Sequence, residues 1–128
     1  MSTTISRVET EAAPRAIGPY SQGMLAGDLL FVSGQIPLDP ISGELVAGEF
    51  RAEFERVLAN VDGVVRAAGC DRRRIVRSTV YVTDLGLFAE LNEIYAAFFG
   101  DHRPARAVVE VAALPRGARV EMEAVAVR

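Results

Sequence analysis

Two stretches of the chain repeat apolar residues at spacings of three and four, which is typical of helices with one buried face. The first runs through residues 50–68, and Gly69 follows it where a left-handed C-cap is expected. The second begins after Asp84, a candidate N-cap, and ends at Gly100. Its apolar positions are Phe88, Leu91, Tyr95 and Phe98. The spacing therefore predicts two amphipathic helices.

Other stretches are rich in β-branched or alternating apolar residues, which favour strands. Residues 24–34 contain Gly27-Asp28, a dipeptide typical of a hairpin turn, and are predicted to form two short strands. Residues 35–48 hold two prolines and two glycines and are predicted to form a loop. The remaining candidate strands are residues 75–82, 106–113 and 119–127.

This order of elements predicts an α+β domain in which a sheet carries both helices on one face. Local spacing alone would pair the last two strands as a hairpin across Pro115-Arg-Gly117. The other face of the sheet needs cover, because it carries Val and Ile as well as polar groups. We therefore expect the chain to associate with itself through that face.

Composition narrows the function classes. The 128 residues are 50% apolar and 24% charged, which fits one folded domain spanning residues 1–128. The net charge of −3 gives no electrostatic reason to expect a nucleic acid or a membrane as partner. Lysine is absent, so a lysine Schiff base is excluded. With one cysteine and one histidine, a metal site is not expected. We expect a cytoplasmic, cofactor-free protein without a membrane span.

Two charged positions near the end of the chain are candidates for chemistry. Arg106 opens an apolar strand, where an arginine is commonly an ordinary ion-pair partner but can also clamp a carboxylate through two parallel N–H donors. Glu121 and Glu123 share one face of the last strand. Such alternation usually marks a solvated face, but a carboxylate beside an apolar pocket would have a raised pKa and could move a proton.

Three polar residues leave two interpretations open. Asn92 lies close to the apolar stripe of the second helix, where its amide is either satisfied by backbone or part of a site. Tyr20 lies in a loop bounded by glycines, where its side chain either packs as a lid over the domain or belongs to a binding pocket. Ser33 precedes Gly34 at a strand end, where its hydroxyl either closes off the backbone or faces a pocket. His102 and Cys70 are interpreted as packing residues, and nothing places His102 near Ser33 for a catalytic triad.

Several segments considered together resemble the RidA/YjgF family. The resemblance covers nearly the whole chain and does not depend on a single motif. The segments are residues 16–23 (AIGPYSQG), 31–37 (FVSGQIP), 39–43 (DPISG), 79–85 (TVYVTDL), 91–95 (LNEIY), 104–111 (PARAVVEV) and 120–127 (VEMEAVAV).

The resemblance implies a chorismate-mutase-like fold, with a six-stranded mixed sheet and two α-helices on one face. It implies a homotrimer with sites in the clefts between subunits, and a last strand inserted elsewhere in the sheet instead of a hairpin. The implied activity is hydrolytic deamination of reactive enamines and imines, such as 2-aminoacrylate, 2-iminopropanoate and 2-iminobutanoate. The products are 2-oxo acids and ammonia, and no cofactor or metal is required.

The family's site residues correspond by motif to Tyr20, Ser33, Asn92, Arg106 and Glu121. By this resemblance Arg106 binds the substrate carboxylate and Glu121 activates water. Tyr20 and Ser33 complete the pocket wall, and Asn92 braces the site from its helix.

The chain departs from common family members beside the arginine. Ala107 replaces a serine, Val108 replaces a cysteine, and Arg103 stands where a phenylalanine is common, after a shortened stretch. These differences make the substrate range an open question. One alternative is a trimeric binder or sensor of 2-oxo acids without useful turnover. Another is an RNA-directed activity, which the net charge and the lack of a basic, aromatic-rich stripe argue against.

Overall fold

The computed structural model describes residues 3–128, which form a six-stranded mixed sheet with two α-helices. The strands and helices, in chain order, are β1 (Ile5–Val8), β2 (Gly23–Ala26), β3 (Leu29–Gln35), α1 (Phe50–Ala67), β4 (Ile75–Val82), α2 (Phe88–Phe99), β5 (Ala105–Glu110) and β6 (Val120–Val127). The α+β class and the two helices agree with the prediction.

The local signals place most element ends well. Gly27 makes the β2–β3 turn at φ 61°, and Gly69 leaves α1 at φ 85°, a backbone region that favours glycine. Asp84 does act as a cap, but its carboxylate accepts from Gly86 N–H in the one-turn helix Leu85–Leu87, which then leads into α2. The fifth strand ends at Glu110, earlier than the predicted residue 113. Strand β1 was not predicted from local pattern.

The strand order is β1-β2-β3-β6-β4-β5. β6 lies antiparallel between β3 and β4, while β5 runs parallel to β4 at the sheet edge. The hairpin expected from local spacing across Pro115-Arg-Gly117 is therefore wrong, and the inserted last strand implied by the resemblance is correct. A one-turn helix at Pro115–Gly117 redirects the chain instead of joining neighbouring strands.

The two faces of the sheet differ in what they pack against. The face under the helices buries alternate apolar residues of the central strands, including Leu30, Val80 and Met122, which are inaccessible to solvent. The opposite face leaves large apolar side chains such as Leu29 and Phe31 exposed. Exposed apolar side chains grouped on one face are typical of an interaction surface.

None of the helices within residues 3–128 is both long enough and apolar enough to cross a membrane.

Candidate active site

A cavity of about 470 Å³ opens where β3, β6 and the loop before β2 meet. Tyr20, Ser33 and Glu121, three of the five predicted site residues, line it. Its other walls are largely apolar and include Ile17, Ile36, Leu38 and Pro115. The structure thus brings together residues that are up to 101 positions apart in the chain, from Tyr20 to Glu121.

Glu121 projects from β6 onto the face opposite the helices, beside a break in strand pairing. The β3–β6 register shifts between Val32 and Gln35, and Gly34 lies within this bulge. A β-carbon on Gly34 would lie 2.5 Å from Glu121 Oε2, so glycine provides the room in which the carboxylate lies. Burial raises the pKa of the Glu121 carboxyl above its usual value, and the negative charge of Glu123 adds to this. A carboxylate with a raised pKa is a better proton acceptor than an ordinary one.

Ser33 and Tyr20 differ in whether their hydroxyl groups can accept or donate a hydrogen bond to a ligand. Ser33 Oγ donates to the Ser21 carbonyl oxygen at 2.5 Å, so this hydroxyl can only accept from a ligand. Tyr20 Oη accepts from Ile17 N–H at 3.4 Å, which leaves the phenolic hydrogen available to donate. The cavity therefore offers an acceptor, a donor and a proton-accepting carboxylate to one small ligand.

A buried amide that the residue-by-residue reasoning missed holds the loop carrying Tyr20. Gln22 donates through Nε2 to the carbonyl oxygens of Thr10, Ala13 and Pro14, at 3.0, 3.1 and 2.8 Å, and accepts from Thr10 N–H at 2.7 Å. Gln22 is 4% exposed, so these bonds are shielded from water. Its presence in the motif of residues 16–23 is the only sequence signal for this role.

Arg106 and Asn92 lie elsewhere, on the helix-covered face of the sheet. Arg106 pairs in register with Ser78, whose hydroxyl is 2.7 Å from Tyr95 Oη beneath α2. The Arg106 guanidinium lies over the rings of Tyr95 and Phe88, 4.9 and 5.7 Å from their centroids. We call these two rings the aromatic shelf. Asn92 shares their side of α2, since positions 88, 92 and 95 follow helical spacing.

The Arg106 guanidinium remains free to bind an anion. Within residues 3–128 no carboxylate lies within 4 Å of it. Stacking on an aromatic shelf orients the planar guanidinium while its N–H edges stay available. Arg106 is thus held in place without being neutralised, as a carboxylate clamp requires.

In one copy of the chain, the two groups of predicted residues lie on opposite faces of the sheet. Glu121 pairs in register with Tyr81 on the open face, whereas Arg106 pairs with Ser78 on the helix face. Side chains on opposite faces point away from each other. A single copy therefore does not join the cavity carboxylate to the free guanidinium.

The three positions at which the chain departs from the family pattern also differ in the face of the sheet on which they lie. Val108 lies two residues beyond Arg106, on the same face, and packs against the buried core. Ala107 points to the open face, where it pairs with Thr79. Arg103 donates to the carbonyl oxygens of Gly100 and His102. Of the three, only Val108 neighbours Arg106 on its own face.

His102 and Cys70 do not take part in this arrangement. His102 Nε2 lies 2.6 Å from the Ile75 carbonyl oxygen, and its ring packs against Phe99, in agreement with a packing role. Cys70 is half-buried against the core, and burial raises the pKa of its thiol. In the described part of the chain, no cluster of three histidine, cysteine, aspartate or glutamate side chains could hold a metal.

Residues 10–128 match the family model described as endoribonuclease L-PSP, which represents the RidA/YjgF family. This chain belongs to that family. A RutC family protein of Sinorhizobium fredii is 50% identical to the RidA-family chain over 121 residues, covering 94% of this chain and 96% of the relative. The human protein named 2-iminobutanoate/2-iminopropanoate deaminase is 47% identical over 129 residues, covering 100% of this chain and 94% of the relative.

Solved structures agree with this membership. Escherichia coli TdcF, determined with bound serine, superposes on the RidA-family chain with a TM-score of 0.92 at 44% identity. The match covers 96% of this chain and 98% of TdcF. At this identity the shared six-stranded topology reflects the same family as well as the same fold.

Proposed function

We propose that this protein hydrolyses 2-imino acids, the tautomers of reactive enamines, to 2-oxo acids and ammonia. The observation that carries the proposal is the pair of half-sites: a cavity carboxylate with a raised pKa and an unpaired guanidinium on an aromatic shelf. Relatives from human and mouse, 47% identical, bear the name 2-iminobutanoate/2-iminopropanoate deaminase, which supports the same substrate class.

The chemistry requires one water molecule and the transfer of both of its protons to the substrate nitrogen. Arg106 would hold the substrate carboxylate through two charge-assisted hydrogen bonds and fix the C=N carbon. Glu121 would remove a proton from water as its oxygen bonds to that carbon, and would return the proton to nitrogen. In the resulting carbinolamine the new hydroxyl group gives up its proton, which passes to nitrogen through the same carboxylate as the C–N bond breaks. This step releases ammonia and leaves the 2-oxo acid. The other three residues would complete the pocket: Tyr20 as donor, Ser33 as acceptor and Asn92 as a brace.

We further propose that the site is completed by a second copy of the chain in a homotrimer. Two facts support this step: Arg106 and Glu121 of one copy lie on opposite faces, and the open face exposes Leu29 and Phe31. A closed ring of three copies would place one copy's guanidinium against the next copy's cavity.

The first test measures 2-oxo acid release when a threonine or serine dehydratase supplies the imine. Losing two charge-assisted hydrogen bonds of about 1.5–2 kcal/mol each should reduce kcat/KM of Arg106→Ala by roughly 10²- to 10³-fold. Arg103→Ala is the matched control, because Arg103 contacts only nearby carbonyls, and it should retain near wild-type activity. Equal activity of the two variants would contradict the proposed carboxylate clamp.

A second test shows whether the Arg106 and Glu121 of one active site come from two copies of the chain or from the same copy. Arg106→Ala and Glu121→Gln subunits are each expected to be inactive, but unfolding and refolding them together allows mixed trimers to form. Random mixing restores an intact pair at about one interface in four, so about a quarter of wild-type activity should return. No recovery from trimers shown to be mixed by mass spectrometry would contradict a shared site.

A second candidate function is binding of a small amino or 2-oxo acid without turnover. The structure of TdcF with bound serine favours this alternative, since that relative holds a small carboxylate-bearing ligand. Tight 2-oxo acid binding that requires Arg106, with no faster imine hydrolysis, would support a sensor. RNA cleavage lost in a site variant would instead favour an RNA-directed activity.

A further inference from the structure

Two apolar side chains of the cavity come from a segment that lies outside the main core. Ile36 and Leu38 line the cavity, and with Ala118 they form a small buried cluster separate from the core that joins the sheet to the helices. Leu38 N–H donates to the Ile36 carbonyl oxygen at 2.7 Å, which closes a three-residue turn centred on Pro37. This turn brings both side chains to the same cavity, and we call the pair the side-chain wall.

A buried amide on α1 holds the side-chain wall in place. Asn60 is inaccessible to solvent, and its Nδ2 donates to the carbonyl oxygens of Ile36 and Leu38 at 3.2 and 3.0 Å. Its Oδ1 accepts from Arg56 Nε at 3.1 Å. An asparagine amide has two N–H donors, and both are used on the backbone of the wall. Hydrogen bonds shielded from water therefore join the helix to the cavity.

The small cluster around the side-chain wall provides little packing of its own. Its other buried member is Ala118, while Leu45 and Leu114 pack against it and are partly buried. A buried carbonyl group that loses its donor is costly, so the bonds from Asn60 favour the one position of the turn in which both carbonyl oxygens meet the amide. The position of the wall is thus set from α1, a helix that itself packs in the main core.

We propose that Asn60 is a positioning residue that fixes the side-chain wall as the surface against which the substrate side chain packs. This inference rests on the proposed function, in which Arg106 of a neighbouring copy holds the carboxylate and Glu121 acts at the C=N carbon. The third substituent of that carbon is the side chain of the imino acid, which then meets the wall. One further methylene buried there is worth about fourfold in kcat/KM, so 2-iminobutanoate is preferred to 2-iminopropanoate.

The test compares these two imines, supplied by one dehydratase acting on threonine or on serine. The ratio of their kcat/KM values does not depend on how much of the protein is folded, so a merely structural defect leaves the ratio unchanged. Asn60→Asp keeps the shape of the side chain and its contact with Arg56, but it turns an oxygen toward two carbonyl oxygens. The wall should be displaced, and the ratio should fall from about fourfold to near one.

Arg56→Met is the matched control, because it removes the third hydrogen bond of the Asn60 amide without touching the wall. Its ratio should stay at the wild-type value. Leu38→Ala removes part of the wall itself, so its ratio should also fall toward one, and it keeps the inference falsifiable if Asn60→Asp does not fold. An unchanged ratio in folded Asn60→Asp or in Leu38→Ala would overturn the inference, as would equal falls in Asn60→Asp and Arg56→Met.

Binding of the products separates this inference from the proposed reaction. Calorimetry with 2-oxobutanoate and 2-oxopropanoate measures the same methylene without turnover, and Asn60→Asp should lose the difference between their Kd values. If wild type hydrolysed neither imine but showed this difference, and Asn60→Asp lost it, the proposed reaction would fail and the role of Asn60 would stand. If wild type hydrolysed both imines with equal kcat/KM, the role of Asn60 alone would fail.

Discussion

The contact between Gly34 and Glu121 predicts that one added methyl group will reduce activity without unfolding the protein. In Gly34→Ala the new β-carbon would lie 2.5 Å from Glu121 Oε2 and 2.9 Å from its Cδ. Restoring an ordinary contact of about 3.4 Å requires the carboxylate to move by about 1 Å. A displacement of that size at a reacting group costs on the order of 100-fold in rate. The displaced atoms end a flexible side chain, so unfolding free energy should change by less than about 1 kcal/mol.

The dehydratase-coupled assay measures this loss, and thermal unfolding with light scattering confirms that fold and assembly are intact. Gly18→Ala is the matched control, because its β-carbon would meet the Tyr20 ring at an ordinary 3.5 Å. That variant should stay within about threefold of wild type. If Gly34→Ala retained full activity while Glu121→Gln was inactive, the position assigned to the carboxylate would be refuted. Equal losses in both alanine variants would point to damage of the loop instead.

Two stability predictions follow from the same structure. A β-carbon at Gly63 would lie 2.6 Å from the backbone oxygen of Ala12, so Gly63→Ala should lower the unfolding free energy by about 1–2 kcal/mol. Helix propensity alone predicts that alanine would stabilise the protein at this position. A variant that is more stable than wild type in urea unfolding would therefore contradict this contact. Burial raises the pKa of Glu121, so folding loses stability as pH rises through that pKa. Glu121→Gln should therefore unfold at a higher temperature than wild type at pH 8 but not at pH 4, and an equal difference at both values would refute the burial argument.

Local features of the sequence predicted the elements whose ends depend on nearby residues. Residues 75–82 form a strand with the predicted bounds, because a β-branched run favours an extended backbone wherever the strand pairs. Gly69 ends the first helix because only the backbone at that position has to turn. The resemblance to RidA-family motifs also selected candidate site residues that residue chemistry alone left open, such as Asn92 and Tyr20.

What only the tertiary structure decided is which distant segments meet. Alternation along β6 shows that Glu121 and Glu123 share a face, but the same alternation is compatible with any neighbouring strand. The insertion of β6 between β3 and β4 opposes Glu121 to the Gly34 bulge, and this pairing joins segments nearly ninety positions apart. Such long-range contacts depend on packing of the whole sheet. For the same reason, only the assembled sheet places Arg106 and Glu121 on opposite faces.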